Sequence, residues 1–474
     1  MGQLRVALVL FFGLLAVPMM QAHSKSKVSA AKFEASSSYM IKVPMPKRAA
    51  GQKDVLGLRH PAMPVVRVGF IGLGMRGPSA VGRFNHIEGV EVKALCDLHP
   101  DRVEKANEIL RKGGKPEATG YSGSSDAWRK LCERDDIDLV YIATDWSTHA
   151  EMMIYAMQQG KHVACEVPGV MTLEEAWRVI DVAEQTQRHC MMLENCVYDF
   201  FELTTLNMAQ QGVFGEVLSG KGAYIHNLED FWLDYEGDWR FKYNKEYRGD
   251  IYATHGLGPV CFALDIHRGD KMNYLVAMDV PAVTIPKYIE RMRGEPVGEF
   301  KNGEMTHTLI KTNRGKTIYL EHNVASYRPY DRMYQLIGTD GFANKYPKEG
   351  ISLRPTEANK KVVPDHEDLS SHGFVSDATL KDLMQRYQHP IARDIAEKAK
   401  QVGGHGGMDF IMDYRLIYCL RNGLPLDMDV YDMAEWSVIG ELTRISLENN
   451  SAPVEFPDFT RGLWNKTKGV TFAL

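Results

Sequence analysis

Residues Val65 to Gly77 read VVRVGFIGLGMRG, in which an apolar β-type run leads directly into the pattern G-x-G-x-x-G. In this pattern the first glycine, Gly72, allows a tight turn, and the second, Gly74, lets the backbone approach a pyrophosphate closely. The third, Gly77, lets the next helix pack closely on the strand. The N-terminus of that helix offers free N–H groups and a positive dipole end to phosphates. The stretch therefore predicts the first βα unit of a dinucleotide-binding Rossmann domain.

An acidic residue stands where such a domain binds ribose. The next predicted strand, residues 91–96, ends at Asp97, which lies 20 residues after Gly77. A carboxylate there accepts hydrogen bonds from the adenosine ribose hydroxyls. The alternative is that Asp97 caps the helix predicted to begin at Pro100. No arginine directly follows Asp97, which favours NAD over NADP as the cofactor.

Composition and the N-terminus limit the class of protein. The chain has 474 residues, of which 44% are hydrophobic and 25% charged, and a formal net charge of −5. This length predicts two or more domains, and this charge gives no reason to expect nucleic acid as a partner. Residues 1–22 combine a basic start, an apolar core and Met20-Gln-Ala22, which is typical of a secretory signal peptide. We expect a periplasmic or secreted protein without stable membrane insertion.

The cysteines do not indicate a disulfide framework or a metal site. There are seven of them, an odd number, and several lie in apolar runs, so we expect buried thiols. The sequence contains neither C-x-x-C nor H-x-x-x-H, so no metal site is predicted. The sequence leaves homo-oligomerisation open.

The first half of the chain predicts an extension at residues 23–63 and a Rossmann domain at 64–195, where strands alternate with helices. Predicted strands at 137–143, 162–165 and 190–193 are followed by Trp146–His149, Glu166–Val167 and Asn195. Because ligands of such sheets bind beyond the carboxyl ends of the strands, these residues should meet the glycine turn at one edge.

The second half predicts an α+β domain at residues 196–424, built on a mostly antiparallel sheet with strands at 218–226, 282–289, 306–312 and 316–321. Aromatic residues crowd positions 231–252, with Arg240 and Arg248 among them. This segment is either a packed hydrophobic loop or a carbohydrate platform, since aromatic faces cover C–H surfaces and Arg and Tyr bind hydroxyls. Residues 425–474 should hold an amphipathic helix, 430–447, packed back on the first domain. The predicted fold class is α/β.

A series of motifs in order along the chain carries a family resemblance: Gly74-Met-Arg-Gly77, Cys165-Glu-Val-Pro168, Met192-Leu-Glu-Asn195, Tyr252-Ala-Thr-His255, Arg328-Pro-Tyr330 and Gly403-Gly-His-Gly-Gly-Met-Asp-Phe410. Over about residues 64–450 the chain resembles the glucose–fructose oxidoreductase and inositol dehydrogenase superfamily. Within it, the chain is similar to the NAD-dependent glycosidases of family 109. It departs from the dehydrogenase members, because Val167 replaces the lysine of their Glu-Lys-Pro motif and Ile251 the aspartate of their Asp-x-x-x-His motif.

The resemblance implies an α-N-acetylgalactosaminidase that acts on α-N-acetylgalactosaminide glycoconjugates and recycles NAD. In that family, hydride leaves the sugar C3, a base removes the acidified C2 proton, the glycosidic group is eliminated, water adds and the hydride returns. Ordinary glycosidases instead use paired carboxylates. The competing class is an NAD(P)-dependent sugar oxidoreductase with net redox turnover, against which Val167 counts. A third class is a carbohydrate-binding protein that has lost catalysis.

The resemblance also assigns residues. The cofactor contacts match Gly72, Gly74, Met75, Arg76, Asp97, Trp146, Ser147, Thr148, His149, Glu166, Val167, Asn195 and Tyr252. The sugar contacts match Tyr224, Arg240, Tyr252, Ala253, Thr254, His255 and a tyrosine at or near Tyr330, where Tyr327 and Tyr334 are also candidates.

The candidates for the proton-transfer residue follow from the chemistry of their side chains. His255 is the leading acid/base candidate because imidazole titrates near neutral pH, and the alternative is a structural core histidine. Tyr252 and Tyr198 are the further catalytic candidates. His405, flanked by glycine pairs, receives no role from the resemblance.

Overall fold

The computed structural model describes residues 39–233 and 236–474. The predicted signal peptide and the first part of the predicted extension lie outside these ranges. None of the helices within them is long and apolar enough to cross a membrane. All seven cysteines fall within the described ranges, and each is a free, buried thiol, as expected from the sequence.

The first domain alternates strands and helices as predicted. Its elements are β1 (Val66–Ile71), α1 (Gly77–Phe84), β2 (Val90–Cys96), α2 (Pro100–Lys112), β3 (Thr119–Tyr121), α3 (Ala127–Cys132), β4 (Leu139–Ile142), α4 (Trp146–Gln158), β5 (His162–Cys165), α5 (Leu173–Thr186) and β6 (Cys190–Met192). The six strands are all parallel and lie in the order β3-β2-β1-β4-β5-β6. This order is that of a dinucleotide-binding Rossmann sheet, and it confirms the predicted fold class.

Local sequence signals set these elements. Every residue of β4, β5 and β6 is buried, as expected for parallel strands covered by helices on both faces. The capping box predicted at the start of α5 is present, because the Thr172 hydroxyl accepts a hydrogen bond from the Glu175 N–H and the Glu175 carboxylate accepts one from the Thr172 N–H.

The rest of the chain contains the strands of the second sheet and the remaining helices. They are α6 (Phe200–Gln210), β7 (Val217–Ile225), α7 (Trp239–Glu246), α8 (Thr254–Ala263), β8 (Met272–Val280), α9 (Thr284–Arg293), β9 (Met305–Thr312), β10 (Thr317–Asn323), β11 (Gln335–Gly338), β12 (Gly341–Asn344), β13 (Gly350–Leu353), α10 (Glu357–Lys360), α11 (Asp377–Arg386), α12 (Pro390–Arg393), α13 (Ala396–Val402), α14 (Met408–Asn422), α15 (Val430–Ser437), α16 (Ile439–Glu448) and β14 (Val454–Glu455). The eight strands lie in the order β13-β12-β11-β7-β10-β9-β8-β14. Only the β7–β10 pair is parallel among the pairings of this described sheet, so the predicted, mostly antiparallel sheet is confirmed.

Two of the predicted elements are wrong. The strand predicted at 282–289 is part of α9, in which Ile285 and Ile289 are buried one turn apart and Gly294 ends the helix at φ +75°. A short apolar run does not distinguish a strand from a helix by itself. The single helix predicted at 430–447 is interrupted at Val438, giving α15 and α16.

The C-terminal helices join the two sheets. Helix α15 packs against α5 and β6 of the Rossmann domain, whereas α16 packs against β8 of the second sheet. Helix α14 packs against α1 and β1, beside the glycine turn. The last part of the chain therefore contributes to both halves of the molecule.

Glu184, at the end of α5, ties distant parts of the chain together. Its buried carboxylate accepts hydrogen bonds from Arg48 at 2.9 Å, from the Tyr431 hydroxyl at 2.5 Å and from Arg461 at 2.7 Å. These partners come from the N-terminal extension, from α15 and from the C-terminal tail. Removing one member of a buried ion pair costs about 3–5 kcal/mol, because the opposite charge is left unpaired.

We predict that Glu184→Ala lowers the midpoint of thermal unfolding by about 5–10 °C, because a large domain loses several kcal/mol of stability when two arginines lose their buried carboxylate partner. Glu174→Ala is the matched control, since Glu174 is an exposed acid on the same helix. Differential scanning calorimetry of both variants measures the effect. Equal midpoints in the two variants would contradict the role assigned to Glu184.

Candidate active site

The glycine turn fits the function predicted for it. A Cβ on Gly72 would lie 2.5 Å from the Ala143 carbonyl oxygen, and one on Gly77 would lie 2.0 Å from the Gly72 carbonyl oxygen, so the fold itself requires both glycines. A Cβ on Gly74 would meet only the Arg102 guanidinium, at 3.8 Å. The open space beside Gly74 is where the pyrophosphate of a dinucleotide would approach the backbone. The turn therefore suits the cofactor predicted for it.

Asp97 lies against this turn and does not cap the next helix. Its Oδ2 accepts a hydrogen bond from the Leu73 N–H at 2.7 Å, and its Oδ1 accepts one from the His99 N–H at 3.0 Å. Helix α2 has His99 at its N-cap, with no side-chain capping bond. The carboxylate is thus placed at the end of β2 beside the glycine turn, as a ribose-binding acid would be.

Asp409, at the start of α14, is a site residue that the sequence did not reveal. Its carboxylate accepts hydrogen bonds from Asn195 at 2.5 Å and from Arg76 at 3.3 Å, and it lies 2.9 Å from Nδ1 of His405. Burial alone would raise the pKa of Asp409, but the hydrogen bond from His405 and the charges of Arg76 and Arg83 outweigh burial and hold that pKa below its usual value. An ionised Asp409 therefore fixes Arg76 and Asn195.

The loops after β4 and β5 are held together by a histidine. His149 is fully buried, with its ring nitrogens 2.8 Å from the Pro168 carbonyl oxygen and 3.1 Å from the Thr144 carbonyl oxygen. Burial lowers the pKa of His149, so the neutral ring donates to one of these carbonyls. Glu166 and Val167, in the second of these loops, are buried, and Glu166 accepts a hydrogen bond from Arg76 at 3.2 Å.

The other predicted cofactor residues differ in exposure. Trp146 is buried at the start of α4, where Asp145 caps the helix by accepting from the Ser147 N–H at 3.1 Å. Met75 and Ser147 are exposed at the sheet edge, and Thr148 is partly exposed.

Predicted cofactor and sugar residues meet in one aromatic group. The Trp146 and Tyr252 rings stack with centroids 5.5 Å apart, and the Arg240 guanidinium lies 4.9 Å from the Tyr252 centroid and 5.3 Å from that of Trp146. The Tyr224 ring lies 4.5 Å from Tyr252. The aromatic segment of the second domain is therefore partly a packed loop, in which Trp239 contacts Trp146, and partly a wall that presents Arg240 to the site.

His255 is paired with a buried acid. Its Nδ1 lies 2.7 Å from Oε1 of Glu194, which is fully buried at the end of β6. Burial alone would raise the pKa of Glu194, but the charge and hydrogen bond of His255 outweigh burial and lower it. The His255 ring contacts Tyr252 edge-on at 5.1 Å. Glu194 was missed as a functional residue, although its position directly before Asn195 at a strand end could have indicated it.

Two neighbours of His255 play a positional part. Ala253 and Thr254 are buried at the start of α8, where they turn the chain so that Tyr252 and His255 fall on the same side.

Of the three crowded tyrosines, Tyr330 lies nearest the site. Its ring packs edge-on against His226 at 5.1 Å, and Nδ1 of His226 is 3.1 Å from the Tyr224 hydroxyl. Tyr327 is 93% exposed, and Tyr334 is buried with its hydroxyl 2.9 Å from that of Thr205.

The structure does not support Tyr198 as a catalytic base. Its side chain is fully buried, and its hydroxyl donates a hydrogen bond to Asp427 at 3.2 Å. Burial raises the pKa of Tyr198 well above its usual value, so the phenol stays protonated. Asp427 is in turn bound by Arg415 at 2.7 Å, which identifies this group as a structural ion pair.

We predict that Gly74→Ala weakens NAD binding at least about tenfold, because the new methyl group occupies the space left for the pyrophosphate. The thermal midpoint of the apoprotein should stay within about 2 °C of the wild type, since a Cβ there contacts only Arg102. Gly77→Ala is the contrasting variant, because its Cβ clashes with the backbone and should lower stability as well. Calorimetric titration with NAD and thermal unfolding distinguish the two; unchanged NAD affinity in Gly74→Ala would refute this binding mode.

Comparisons with known proteins agree with this geometry. Residues 66–194 match the model of the oxidoreductase family with an NAD-binding Rossmann fold, and residues 198–466 match that of the glycosyl hydrolase 109 C-terminal domain. Among solved structures, levoglucosan dehydrogenase in complex with NADH and levoglucosan has the same fold, with a TM-score of 0.62 and 20% identity over 83% of this chain and 100% of that one.

Curated relatives are much more similar in sequence. Glycosyl hydrolase family 109 protein 1 of Bacteroides fragilis is 64% identical over 91% of this chain and 93% of its own length. A family 109 protein of Porphyromonas gingivalis is 62% identical over 92% of this chain and 93% of its own length. The chain belongs to glycosyl hydrolase family 109.

Proposed function

We propose that this protein releases α-linked N-acetylgalactosamine from glycoconjugates, using tightly held NAD, and that it acts outside the cytoplasm, as residues 1–22 predict. The observation that carries the proposal is the His255–Glu194 pair, which lies beside the aromatic group where the cofactor and sugar residues meet. This position supports a role for His255 in proton transfer at the junction of the two predicted binding regions.

The cofactor would be held by this chain's own edge residues. The glycine turn would bind the pyrophosphate, and Asp97 would accept hydrogen bonds from the ribose hydroxyls. Glu166 and Asn195, which follow β5 and β6, would lie next to the nicotinamide. When bound, NAD supplies reversible hydride transfer at a sugar carbon, so that the overall reaction is hydrolysis without net oxidation. A cofactor that is restored in each turnover gains nothing from dissociation, so we expect it to stay bound between turnovers.

The sugar would be held by Tyr224, Tyr252 and Arg240. The two tyrosine rings offer apolar faces to C–H surfaces, and the guanidinium donates hydrogen bonds to hydroxyl or acetamido oxygens. Burial raises the pKa of Tyr252 well above its usual value, so its phenol donates a hydrogen bond and does not act as a base at neutral pH.

His255 would move the proton. Glu194 binds Nδ1 and leaves Nε2 to exchange a proton with the substrate. Because Glu194 is ionised and buried, it fixes the tautomer and orientation of the ring and stabilises the imidazolium that forms on proton uptake. In the later steps the protonated His255 can return the proton to the sugar, and the neutral ring can accept a proton from the attacking water.

A sugar oxidoreductase with net turnover is the second candidate, and the likeness to levoglucosan dehydrogenase favours it at the level of fold. A fold alone does not define a reaction. The buried Val167 stands where the dehydrogenase motif has its lysine, and an aliphatic side chain cannot transfer a proton. This difference favours hydrolysis.

We predict that His255→Ala slows turnover by about 10²–10⁴-fold, the usual contribution of a positioned acid/base group. Glu194→Gln should slow it at least about tenfold, because the amide keeps the shape but loses the charge. Steady-state rates with NAD bound measure both effects.

The control for these variants is His307→Ala, which removes a partly exposed histidine from β9. It should retain the wild-type rate. Near-normal turnover in His255→Ala, with NAD bound and the fold intact, would exclude His255 as the acid/base.

We predict that the enzyme releases N-acetylgalactosamine from α-linked substrates without accumulating NADH. Chromatography of the released sugar and absorbance at the NADH band measure the two quantities in one reaction. In deuterium oxide the released sugar should carry deuterium at C2, since elimination breaks that C–H bond and displacement by a carboxylate does not. Stoichiometric NADH from a free sugar, with no glycoside cleavage, would establish the oxidoreductase instead.

A further inference from the structure

A cavity of about 530 Å³ adjoins the residues assigned to the sugar. Tyr330 lines it on one side and contacts His226, which is bonded to Tyr224. His405 lines it on the other side and lies 2.9 Å from Asp409, the carboxylate that fixes Asn195. Two of the lining residues therefore contact groups next to the proposed active site, and the volume of the cavity falls in the range of ligand-binding clefts.

The cations in the cavity wall are already paired. Lys345 contacts Glu202 at 2.7 Å and Asp199 at 2.5 Å, and Arg332 contacts the same two carboxylates at 2.6 Å and 3.0 Å. Arg332, Lys345 and Glu202 are buried, and Asp199 is largely covered. Both cations of the wall are thus bound by carboxylates, which leaves neither of them free to bind a phosphate or sulfate.

The groups that remain for a ligand are aromatic and acidic. The Tyr330 and Tyr346 rings line the cavity with centroids 6.2 Å apart and planes inclined by 73°. Glu349 lies at the exposed rim, and within the described part of the chain its carboxylate forms neither an ion pair nor a hydrogen bond. Tyrosine faces cover the C–H surfaces of a sugar ring, and a carboxylate accepts hydrogen bonds from its hydroxyls.

We propose that this cavity is the subsite for the leaving group of the glycoside, and that it binds a neutral hexose. The inference rests on the proposed function, because a leaving-group site has meaning only for a glycosidase. Charge selects a neutral ligand, since both cations of the wall are already bound by carboxylates and Glu349 repels anions. Position selects the leaving group, since the cavity begins at Tyr330, at the border of the residues that hold the cleaved sugar.

The test compares two substrates in each variant. One is the methyl α-glycoside of N-acetylgalactosamine, whose leaving group is too small to reach the cavity, and the other is a disaccharide in which the same sugar is α-linked to a neutral hexose. In Glu349→Ala and Tyr346→Ala, the ratio of kcat/KM for the disaccharide to kcat/KM for the methyl glycoside should fall about tenfold, the effect of losing one charged hydrogen bond or one stacking face.

The controls are Glu357→Ala and Tyr327→Ala, which remove an exposed acid and an exposed tyrosine outside the cavity lining. Both should keep the wild-type ratio within about twofold. If Tyr346→Ala does not fold, Glu349→Ala decides the matter, because Glu349 is exposed at the rim.

The outcomes separate the two proposals. A fall in the ratio in the cavity variants alone supports the subsite. Cleavage of both substrates by every variant with an unchanged ratio overturns the subsite and leaves the glycosidase function standing. Failure of the NAD-loaded wild type to cleave either substrate overturns the proposed function and the subsite together.

Discussion

The geometry of the site depends on the buried carboxylate of Asp409. It binds Arg76, which belongs to the glycine turn, and Asn195, which follows β6, so one acid from α14 spans two strand ends of the Rossmann sheet. The cations and hydrogen bonds around it hold its pKa low, so it keeps its charge over the whole neutral range. Because an ionised group in a buried position is stable only with its partners in place, the cofactor edge and the start of α14 are fixed as a unit.

A second contact between the two halves of the molecule joins an arginine guanidinium to two aromatic rings. Arg240 comes from α7 and lies over Trp146 from α4 and Tyr252 from the second domain. A planar guanidinium can stack on rings while its N–H groups still point to a ligand, which a compact ammonium does not do. This contact therefore brings Arg240, a predicted sugar-binding residue, next to Trp146, a predicted cofactor-binding residue, and the neutral, buried Tyr252 adds no opposing charge.

The features that the sequence predicted correctly are those that depend on residues close together in the chain. The glycine turn, the capping box at Thr172 and the strand ends of the first sheet depend on residues close in the chain, and each is confirmed. The run at 282–289 was misassigned because two buried isoleucines one turn apart lie within a segment too short to show a period.

The partners inside the site escaped prediction for a different reason. Glu194 lies 61 positions before His255, and Asn195 lies 214 positions before Asp409, so neither contact has a local signal. Such pairs become visible only when the strand ends and the later helices are placed together. Tyr198 shows the converse error, since its closeness in sequence to Asn195 did not bring its hydroxyl to the same side of the fold.

The match to the NAD-binding Rossmann family identifies a way of holding NAD, whereas the fold shared with levoglucosan dehydrogenase does not define the net reaction. The difference between oxidation and hydrolysis must lie in the groups that move protons and in the space for a leaving group. In this chain the dehydrogenase lysine position is the aliphatic Val167, whereas His255 is held in place by the ionised Glu194. A histidine oriented in this way can take and return a proton within one turnover, and in the proposed subsite the cavity lined by Tyr330 would receive the departing group. Under the proposed function, an NAD-binding edge would therefore be combined with the His255–Glu194 pair in place of the dehydrogenase lysine.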